Sequence, residues 1–153
     1  MFKSQTYETM KIEYNPIGIV HSPFKDLNHI PNQPSKAKGT AGIVEVFPEF
    51  RKGLKDLDGF SHIILLCHFH QVSGYKLHVV PSDETELRGL FATRSPRRPN
   101  PIGFSVVCLN EIQEGRLMIS DLDILEGTPV LDIKPYFREF ESDKSIKTGW
   151  LKK

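Results

Sequence analysis

Short apolar stretches separated by turn residues run along most of the chain. In GIVEVF, residues 42–47, apolar and polar positions alternate, which predicts a strand with one buried face. Comparable stretches predict further strands at residues 17–21, 62–70, 76–80, 87–93, 104–112, 116–122 and 130–137. Turn residues such as Asp58-Gly59 and Glu114-Gly115 separate them. About eight short strands at this spacing favour an antiparallel barrel or a sandwich.

One segment, residues 48–57, predicts a short helix. Pro48 suits a first helical turn, and Phe50, Leu54 and Leu57 recur at helical spacing. Two proline-containing segments, 22–40 and 95–101, lack periodicity and are expected to be long loops. We therefore predict one all-β domain over residues 1–153, mainly an antiparallel β-barrel with one short helix and long loops. Its core is expected at residues 12–138, followed by a C-terminal tail at 139–153.

Composition indicates a soluble domain that carries a local cluster of basic residues. Apolar residues make up 39% of the chain and charged residues 25%, as in ordinary soluble domains. The 20 basic and 19 acidic residues give a net charge of +1, which argues against a large phosphate-binding surface. Arg88, Arg94, Arg97 and Arg98 nevertheless form a local basic patch.

The sequence predicts a cytoplasmic protein that does not enter a membrane. The first residues contain no apolar segment typical of a signal peptide, and no apolar run is long enough to span a bilayer. Cys67 and Cys108 lie within apolar stretches, so we expect both to be small buried hydrophobic residues in a reducing compartment.

The most distinctive segment is RSPRRPNPIG, residues 94–103. Its prolines exclude a central strand and stiffen the backbone. One interpretation is a rigid connection whose arginines are solvated. The other is a rigid loop that presents arginines to an anionic or planar ligand, since a rigid loop loses little entropy on binding.

Two further patterns leave alternatives open. His62, His68 and His70 would share one face of a strand and could bind a metal, but no nearby cysteine or carboxylate joins them, so we predict no metal site. Asp121 and Asp123 would share the strand face opposite Leu122. They either face solvent or accept hydrogen bonds from ribose hydroxyls or an amine.

Four motifs carry more specific information than hydrophobic periodicity does: HSPFK, GLKDLDGFSHIILLCHFHQ, GLFATRSPRRPNPIGFSVV and DLDILEGTPVLDIKPY. Through them the chain resembles the TsaA-like family typified by TrmO. The resemblance implies a β-barrel methyltransferase without a Rossmann fold, working as a homodimer with S-adenosylmethionine. Its implied substrate is tRNA, at the exocyclic amine of threonylcarbamoyl-adenosine beside the anticodon.

The resemblance also implies which residues contact the cofactor. The family's Pro-Arg-Gln and His-Gln motifs, its Ala-Thr-Arg arginine, the hydrophobic residue after Ile-Gly and the segment before Gly-Thr-Pro each have a counterpart here. These counterparts are Pro31, Asn32, Gln33, His70, Gln71, Arg94, Phe104, Ser120, Asp121, Leu122 and Asp123.

Roles for some of these side chains follow from their chemistry. An arginine such as Arg94 can bind the cofactor's carboxylate with two hydrogen bonds. The amine must lose a proton during methylation, and the candidates to assist are Asp121, Asp123 and His70. Arg97 and Arg98 are predicted to contact RNA phosphates.

Two departures from the family pattern support a different hypothesis. Asn32 stands where many members have arginine, and the chain ends at Lys153 where bacterial members continue into an extension. These features favour a non-catalytic module that binds S-adenosylmethionine or a nucleotide. A metal-dependent enzyme built on His62, His68 and His70 is a third hypothesis.

The predicted homodimer rests on the resemblance and on the common two-fold symmetry of small oligomers. The Pro-rich loop at residues 95–101 and apolar strands without evident edge protection offer contact surfaces. We expect Arg97 or Arg98 to lie near the second subunit's cofactor loop.

Overall fold

The computed structural model describes residues 11–31, 37–82, 84–138 and 145–151. Its strands are β1 (Gly18–His21), β2 (Gly42–Val46), β3 (His62–His68), β4 (His78–Val79), β5 (Arg88–Gly89), β6 (Ile102–Gln113), β7 (Arg116–Ser120) and β8 (Pro129–Pro135). Six of them close an antiparallel barrel in the order β1-β2-β7-β6-β3-β8, while β4 and β5 form a separate two-stranded sheet. The all-β barrel predicted from the sequence is confirmed.

The barrel interior is filled by the alternate residues of its strands. In β3, Ile63, Leu65 and Cys67 are buried while their neighbours in sequence point outward. Val20 of β1 faces Val44 of β2 across the pairing, and both are fully buried. This two-residue period places one row of each strand in a common core, because successive side chains of a strand point to opposite faces.

Two glycines allow the barrel to close tightly. A side chain at Gly18 would overlap the backbone of Glu45 in the paired strand. A side chain at Gly42 would overlap the side chain of Leu122, which is fully buried. The backbone therefore approaches its neighbours here at distances that only glycine permits.

The predicted helix exists in a different form. Residues Pro48–Leu54 form a 3₁₀ helix, with proline in the first turn as expected, and a second short turn spans Leu57–Gly59. Between them Asp56 adopts a left-handed conformation, which interrupts the predicted span of 48–57. Among the described residues, every helical segment is a short 3₁₀ turn, and none could span a membrane.

Several predicted strand limits were wrong. The strands predicted at 76–80 and 87–93 shrink to two residues each, because the backbone turns into a 3₁₀ helix at Leu90–Ala92. β3 ends at His68 and β7 at Ser120, so His70, Asp121 and Leu122 lie beyond the strands. The expectation of unprotected edges also fails for the barrel, whose closure pairs β1 with β8.

Candidate functional site

The chain leaves β7 through an unusual backbone turn at Asp121. This residue has a φ of 64°, in the left-handed region that aspartate enters more readily than most residues. The turn directs Leu122 into the core, while Oδ1 of Asp121 accepts a hydrogen bond from the backbone N–H of Gly39 at 2.6 Å. That bond holds the pKa of Asp121 below its usual value, so the group is a carboxylate at neutral pH.

Asp121 also ends a row of polar side chains on the outer wall. The thiol of Cys108 donates to Asp121 Oδ2 at 3.3 Å, and Cys108 Sγ lies 3.3 Å from Nε2 of His62. Burial, followed by the Asp121 carboxylate, raises the pKa of Cys108. The neutral thiol is a poor nucleophile and serves as a hydrogen-bond donor. Cys108 is half-buried with polar partners, which corrects its prediction as a buried hydrophobic residue; Cys67 is buried as predicted.

Asp123 contacts a different part of the wall. Its Oδ1 accepts a hydrogen bond from the hydroxyl of Ser105 at 3.0 Å. Burial raises the pKa of the Cys67 thiol to about 12, and the charge of Asp123 adds to that shift. Asp123 therefore lies close to the barrel interior.

The sequence predicted that the two carboxylates share one face of a strand. This prediction was wrong, because β7 ends before Asp121. Asp121 is tied to the outer row through Cys108, and Asp123 is tied to Ser105. Gly39, Cys108 and Ser105 were missed as partners. Their role depends on pairing between distant segments, and no local sequence signal points to it.

His70 and Gln71 lie directly after β3, where the chain packs against the beginning of β6. The N–H of Phe69 donates to the carbonyl of Pro101 at 2.8 Å, and the ring of Phe69 covers Gly103 so closely that a side chain there would collide with it. Both His70 and Gln71 are exposed. Burial, and then the nearby His68, lower the pKa of His70, so its imidazole is neutral at pH 7.

Phe104 lies on the outer wall of β6, opposite Leu66 of β3, and its side chain is 55% exposed. Its neighbour Ser105 is the residue that binds Asp123. Strand β6 thus connects the carboxylate turn to the region of His70 and Gln71. The structure places Pro31 in a half-buried position, whereas Asn32 and Gln33 lie outside the described residues.

Residues 88–101, which we call the arginine loop, comprise β5 and its connection to β6. Within it Nη1 of Arg98 donates to three backbone carbonyls, those of Leu90 at 3.4 Å, Thr93 at 2.9 Å and Ser95 at 3.3 Å. Arg97 donates to the carbonyl of Ser73 at 2.7 Å, which joins the loop to the segment that follows Gln71. Arg94 is exposed. Arg98 therefore shapes the loop from within, and Arg94 is open to a ligand.

The three histidines suggested as metal ligands do not converge. His62 and His68 lie at opposite ends of β3, roughly 20 Å apart at the usual rise of a strand. His62 is occupied by Ser61 and Cys108. In the described ranges, no group of three histidine, cysteine or acidic side chains is arranged to hold a metal ion.

Two open hollows lie on the surface, and His62 lines the second of them. One, of about 630 Å³, is lined by Glu45, Arg51, Glu114, Gly115 and Arg116. The other, of about 500 Å³, is lined by Ser61, His62, Val106, Tyr136, Phe137 and Arg138. Neither lining contains a predicted cofactor residue, so we describe the candidate site by its hydrogen bonds.

Comparisons with known proteins identify the family to which this chain belongs. The family model for the tRNA-methyltransferase O N-terminal domain matches residues 19–142. A probable S-adenosyl-L-methionine-binding protein of Pyrococcus abyssi is 55% identical over 94% of this chain and 78% of its own length. The human tRNA (adenine(37)-N6)-methyltransferase is 35% identical over 91% of this chain, but over 33% of its own.

One solved structure is similar to this chain in both fold and sequence. The crystal structure of TrmO from Pseudomonas aeruginosa matches with a TM-score of 0.76 and 39% identity, covering 94% of this chain and 64% of that one. The chain thus spans about two thirds of that protein and a third of the human one. The match of the family model over most of the barrel shows that this chain belongs to the tRNA-methyltransferase O N-terminal domain family.

Proposed function

We propose that this protein binds S-adenosylmethionine and transfers its methyl group to the exocyclic amine of threonylcarbamoyl-adenosine beside the anticodon of tRNA. The observation that carries the proposal is the turn at Asp121, whose carboxylate ties one segment that matches the family's cofactor contacts to Gly39. Gly39 follows Pro31, Asn32 and Gln33 in sequence, and the last two of these lie outside the described residues. The names of the relatives support both the cofactor and the substrate class.

The residues present fit the chemistry of this cofactor. An exposed arginine, Arg94, suits its carboxylate, because guanidinium and carboxylate form paired hydrogen bonds. The carboxylates of Asp121 and Asp123 suit hydroxyl or ammonium donors. The exposed ring of Phe104 offers an apolar face for a planar base. When bound, S-adenosylmethionine supplies an electrophilic methyl group.

The protein's own residues must align the amine and accept its proton. Alignment is the larger requirement for a displacement at a methyl carbon. Asp121 already accepts two hydrogen bonds and has a lowered pKa, which makes it a weak base suited to positioning. Asp123 accepts one hydrogen bond from Ser105, and the neutral imidazole of His70 can accept a proton near pH 7. We therefore favour Asp123 or His70 as the proton acceptor.

Calorimetric titration tests the cofactor step. We expect S-adenosylmethionine and its demethylated product to bind with a Kd near one micromolar, about −8 kcal/mol. Arg94→Ala should weaken binding by about tenfold or more, roughly 1.4 kcal/mol for each factor of ten. Arg116→Ala, an exposed arginine at the start of β7, is the matched control and should bind normally. Absence of heat with the folded wild-type protein refutes the cofactor proposal.

A non-catalytic S-adenosylmethionine-binding module is the second candidate. The name of the Pyrococcus abyssi relative mentions binding alone, which favours it. A single-turnover assay separates the two candidates. It uses labelled cofactor and tRNA whose threonylcarbamoyl-adenosine has not been methylated. Transfer of the label to RNA supports the enzyme, whereas binding without transfer supports the module.

For the RNA itself we propose contacts from Arg97 and Arg98 at the arginine loop. The exposed Arg97 has one protein partner in the described structure, the Ser73 carbonyl, so its guanidinium retains donors for a phosphate. Arg97→Ala should weaken tRNA binding and lower the slope of log affinity against log salt by about one. An unchanged slope contradicts a phosphate contact at this residue.

We also propose that the protein is a homodimer that pairs through the outer wall of β3 and β6. Ile102, Phe104 and Val106 of β6 are 44%, 55% and 36% exposed, and they face His68, Leu66 and Ile64 across the pairing. A contiguous apolar strip of this kind is uncommon on the surface of a monomer. A two-fold interface would cover the strip in both subunits, and it would place Phe104, a proposed cofactor contact, where the two subunits meet.

Light scattering tests the dimer directly. The wild-type protein should show about twice the 17.5 kDa mass of one chain. Val106→Lys, which places a charge in the apolar strip, should give a monomer, while Leu77→Lys on an exposed position outside it should not. A monomeric wild type with full methyl transfer would refute the dimer and leave the cofactor proposal intact.

A further inference from the structure

The chain's single tryptophan docks onto the arginine loop. Nε1 of Trp150 donates a hydrogen bond to the carbonyl of Ala92 at 2.9 Å. The guanidinium of Arg88 lies over the same indole, 5.0 Å from the ring centroid. Trp150 is half-buried, while the other described residues of segment 145–151 are exposed. The side chain of Trp150 therefore contacts the loop through both its N–H and its ring.

Arg88 connects the indole to the base of the loop. It belongs to β5, which pairs with β4, and its Nη2 lies 2.8 Å from Glu86 and 3.8 Å from Glu84. Its Nε is buried and finds no hydrogen-bond partner in the part of the chain that the structure describes. The indole ring of Trp150 stabilises the positive charge of this guanidinium through a cation–π interaction, which does not use the unpaired N–H.

The backbone around Ala92 depends on side-chain donors. The carbonyls of Leu90, Thr93 and Ser95 accept from Arg98, and the carbonyl of Ala92 accepts from Trp150. Leu90 still donates to the carbonyl of Leu77 at 2.8 Å, and its own carbonyl also accepts from Thr93. Beyond Leu90 the 3₁₀ turn leaves the β4–β5 pairing, so side chains provide the donors for the carbonyls of Ala92, Thr93 and Ser95. Arg94 follows directly on this segment, between two residues whose carbonyls Arg98 holds.

We propose that Trp150 is a positioning residue that fixes the 88–95 backbone and thereby the presentation of Arg94 to its ligand. Arg98 holds the inner side of the loop, and Trp150 together with Arg88 holds the side toward segment 145–151. The effect on the loop stands on the geometry alone. The effect on ligand affinity rests on the proposed binding of S-adenosylmethionine by Arg94.

The test uses the full chain and separates the two contacts of the indole. Trp150→Ala removes both the N–H donor and the aromatic face, whereas Trp150→Phe retains a ring for Arg88. Ile146→Ala is the matched control, because Ile146 is an exposed apolar residue of the same segment. Amide hydrogen exchange by mass spectrometry follows peptides from residues 88–98, and peptides from β3 report whether the barrel remains folded.

We expect exchange in residues 88–95 to accelerate by about tenfold in Trp150→Ala and by less in Trp150→Phe, as lost hydrogen-bond and cation–π contacts predict. Exchange in β3 should not change, and Ile146→Ala should match the wild type. Unchanged exchange at residues 88–95 in Trp150→Ala overturns the proposal, as does equal acceleration in the control.

Affinity for S-adenosylmethionine gives the second readout. Trp150→Ala should raise its Kd by about threefold to tenfold, up to about 1.4 kcal/mol, with partial rescue in Trp150→Phe. Accelerated exchange with an unchanged Kd overturns the link between Trp150 and Arg94. A wild-type protein that does not bind the cofactor, but whose loop loosens in Trp150→Ala, refutes the proposed function and leaves the positioning of the loop supported.

Discussion

In the barrel wall, Ile63 and Leu65 of β3 are held by apolar contacts on all sides and by strands on both edges. In the arginine loop, the backbone from Leu90 to Ser95 is held by individual hydrogen bonds from the side chains of Arg98, Trp150 and Thr93, and by the bond from Leu90 N–H to the carbonyl of Leu77. The wall distributes its stability over many residues, whereas the loop concentrates it in a few. Substitutions should therefore affect the whole fold in the wall and local order in the loop.

The largest effect is expected in the wall. Leu65→Ala removes a fully buried side chain from the core and should lower the free energy of unfolding by about 2–5 kcal/mol. Leu87→Ala, where the side chain is 63% exposed, should change it by less than about 0.5 kcal/mol. Urea unfolding of both variants measures the difference. Equal, small losses would show that the core is not the source of stability.

A smaller effect is expected from the loop. Arg98→Ala removes a donor from the carbonyls of Thr93 and Ser95, and from that of Leu90, which still accepts from Thr93. It also uncovers the ring of Phe91, yet the site is only partly buried. We expect a loss of about 1 kcal/mol in unfolding free energy, within the usual range for such hydrogen bonds. Exchange in residues 88–98 should accelerate much more than in β3. If β3 loosens equally, the loop and the wall form one cooperative unit and the contrast fails.

Arg98→Lys sharpens this test, because lysine retains the charge and loses the planar fork that reaches several carbonyls. It should behave more like Arg98→Ala than like the wild type. Wild-type behaviour in Arg98→Lys would mean that charge, and not the hydrogen-bond geometry, holds the loop.

The smallest effect comes from a polar cluster on the wall itself. His21 lies 2.9 Å from Glu45 and 3.3 Å from Glu126, and Glu126 also accepts from the backbone of Ser22. The hydrogen bond with Glu45 is the main cause that raises the pKa of His21, and its counterpart lowers the pKa of Glu45. The backbone bond from Ser22 is the main cause that lowers the pKa of Glu126.

These shifts define a pH window for stability. The contribution of His21 is complete below its unfolded pKa of 6.5 and disappears as pH rises through the raised folded value. The contribution of the two glutamates is complete above 4.5 and disappears as pH falls through their lowered values. The cluster should stabilise most between these two limits, and only slightly, because its side chains are partly exposed and screened by water.

Urea unfolding across pH tests the window, with His21→Gln as the comparison. The wild type should lose stability as pH rises above 6.5, and the variant should lack this decline. Superimposable pH profiles for the two proteins would assign that decline to other groups.

The sequence predicted the wall better than the loop for the same physical reason. Strand β2 was predicted to within one residue, since alternation of GIVEVF records which face is buried. The region of residues 87–93 looks equally apolar, but its backbone follows donors from Arg98 and Trp150, which lie at non-periodic positions. Periodicity records burial and does not record a long-range hydrogen bond.

The candidate site divides in the same way. Motifs predicted roles for Arg94, Asp121 and Asp123, because the chemistry of these side chains is visible in the sequence, and these roles remain predictions. The turn at Asp121, its bond to Gly39 and the contact of Asp123 with Ser105 depend on how the barrel closes. The predicted shared face of the two aspartates was lost because β7 ends at Ser120, two residues before the predicted end.

Nucleoside mass spectrometry of tRNA from cells with and without this gene tests the proposed methyl transfer most directly. We predict that methylated threonylcarbamoyl-adenosine is present with the gene and replaced by the unmethylated nucleoside without it. Wild-type protein should restore the methylated form, and Arg94→Ala should restore much less. An identical nucleoside profile with and without the gene would contradict the proposed activity.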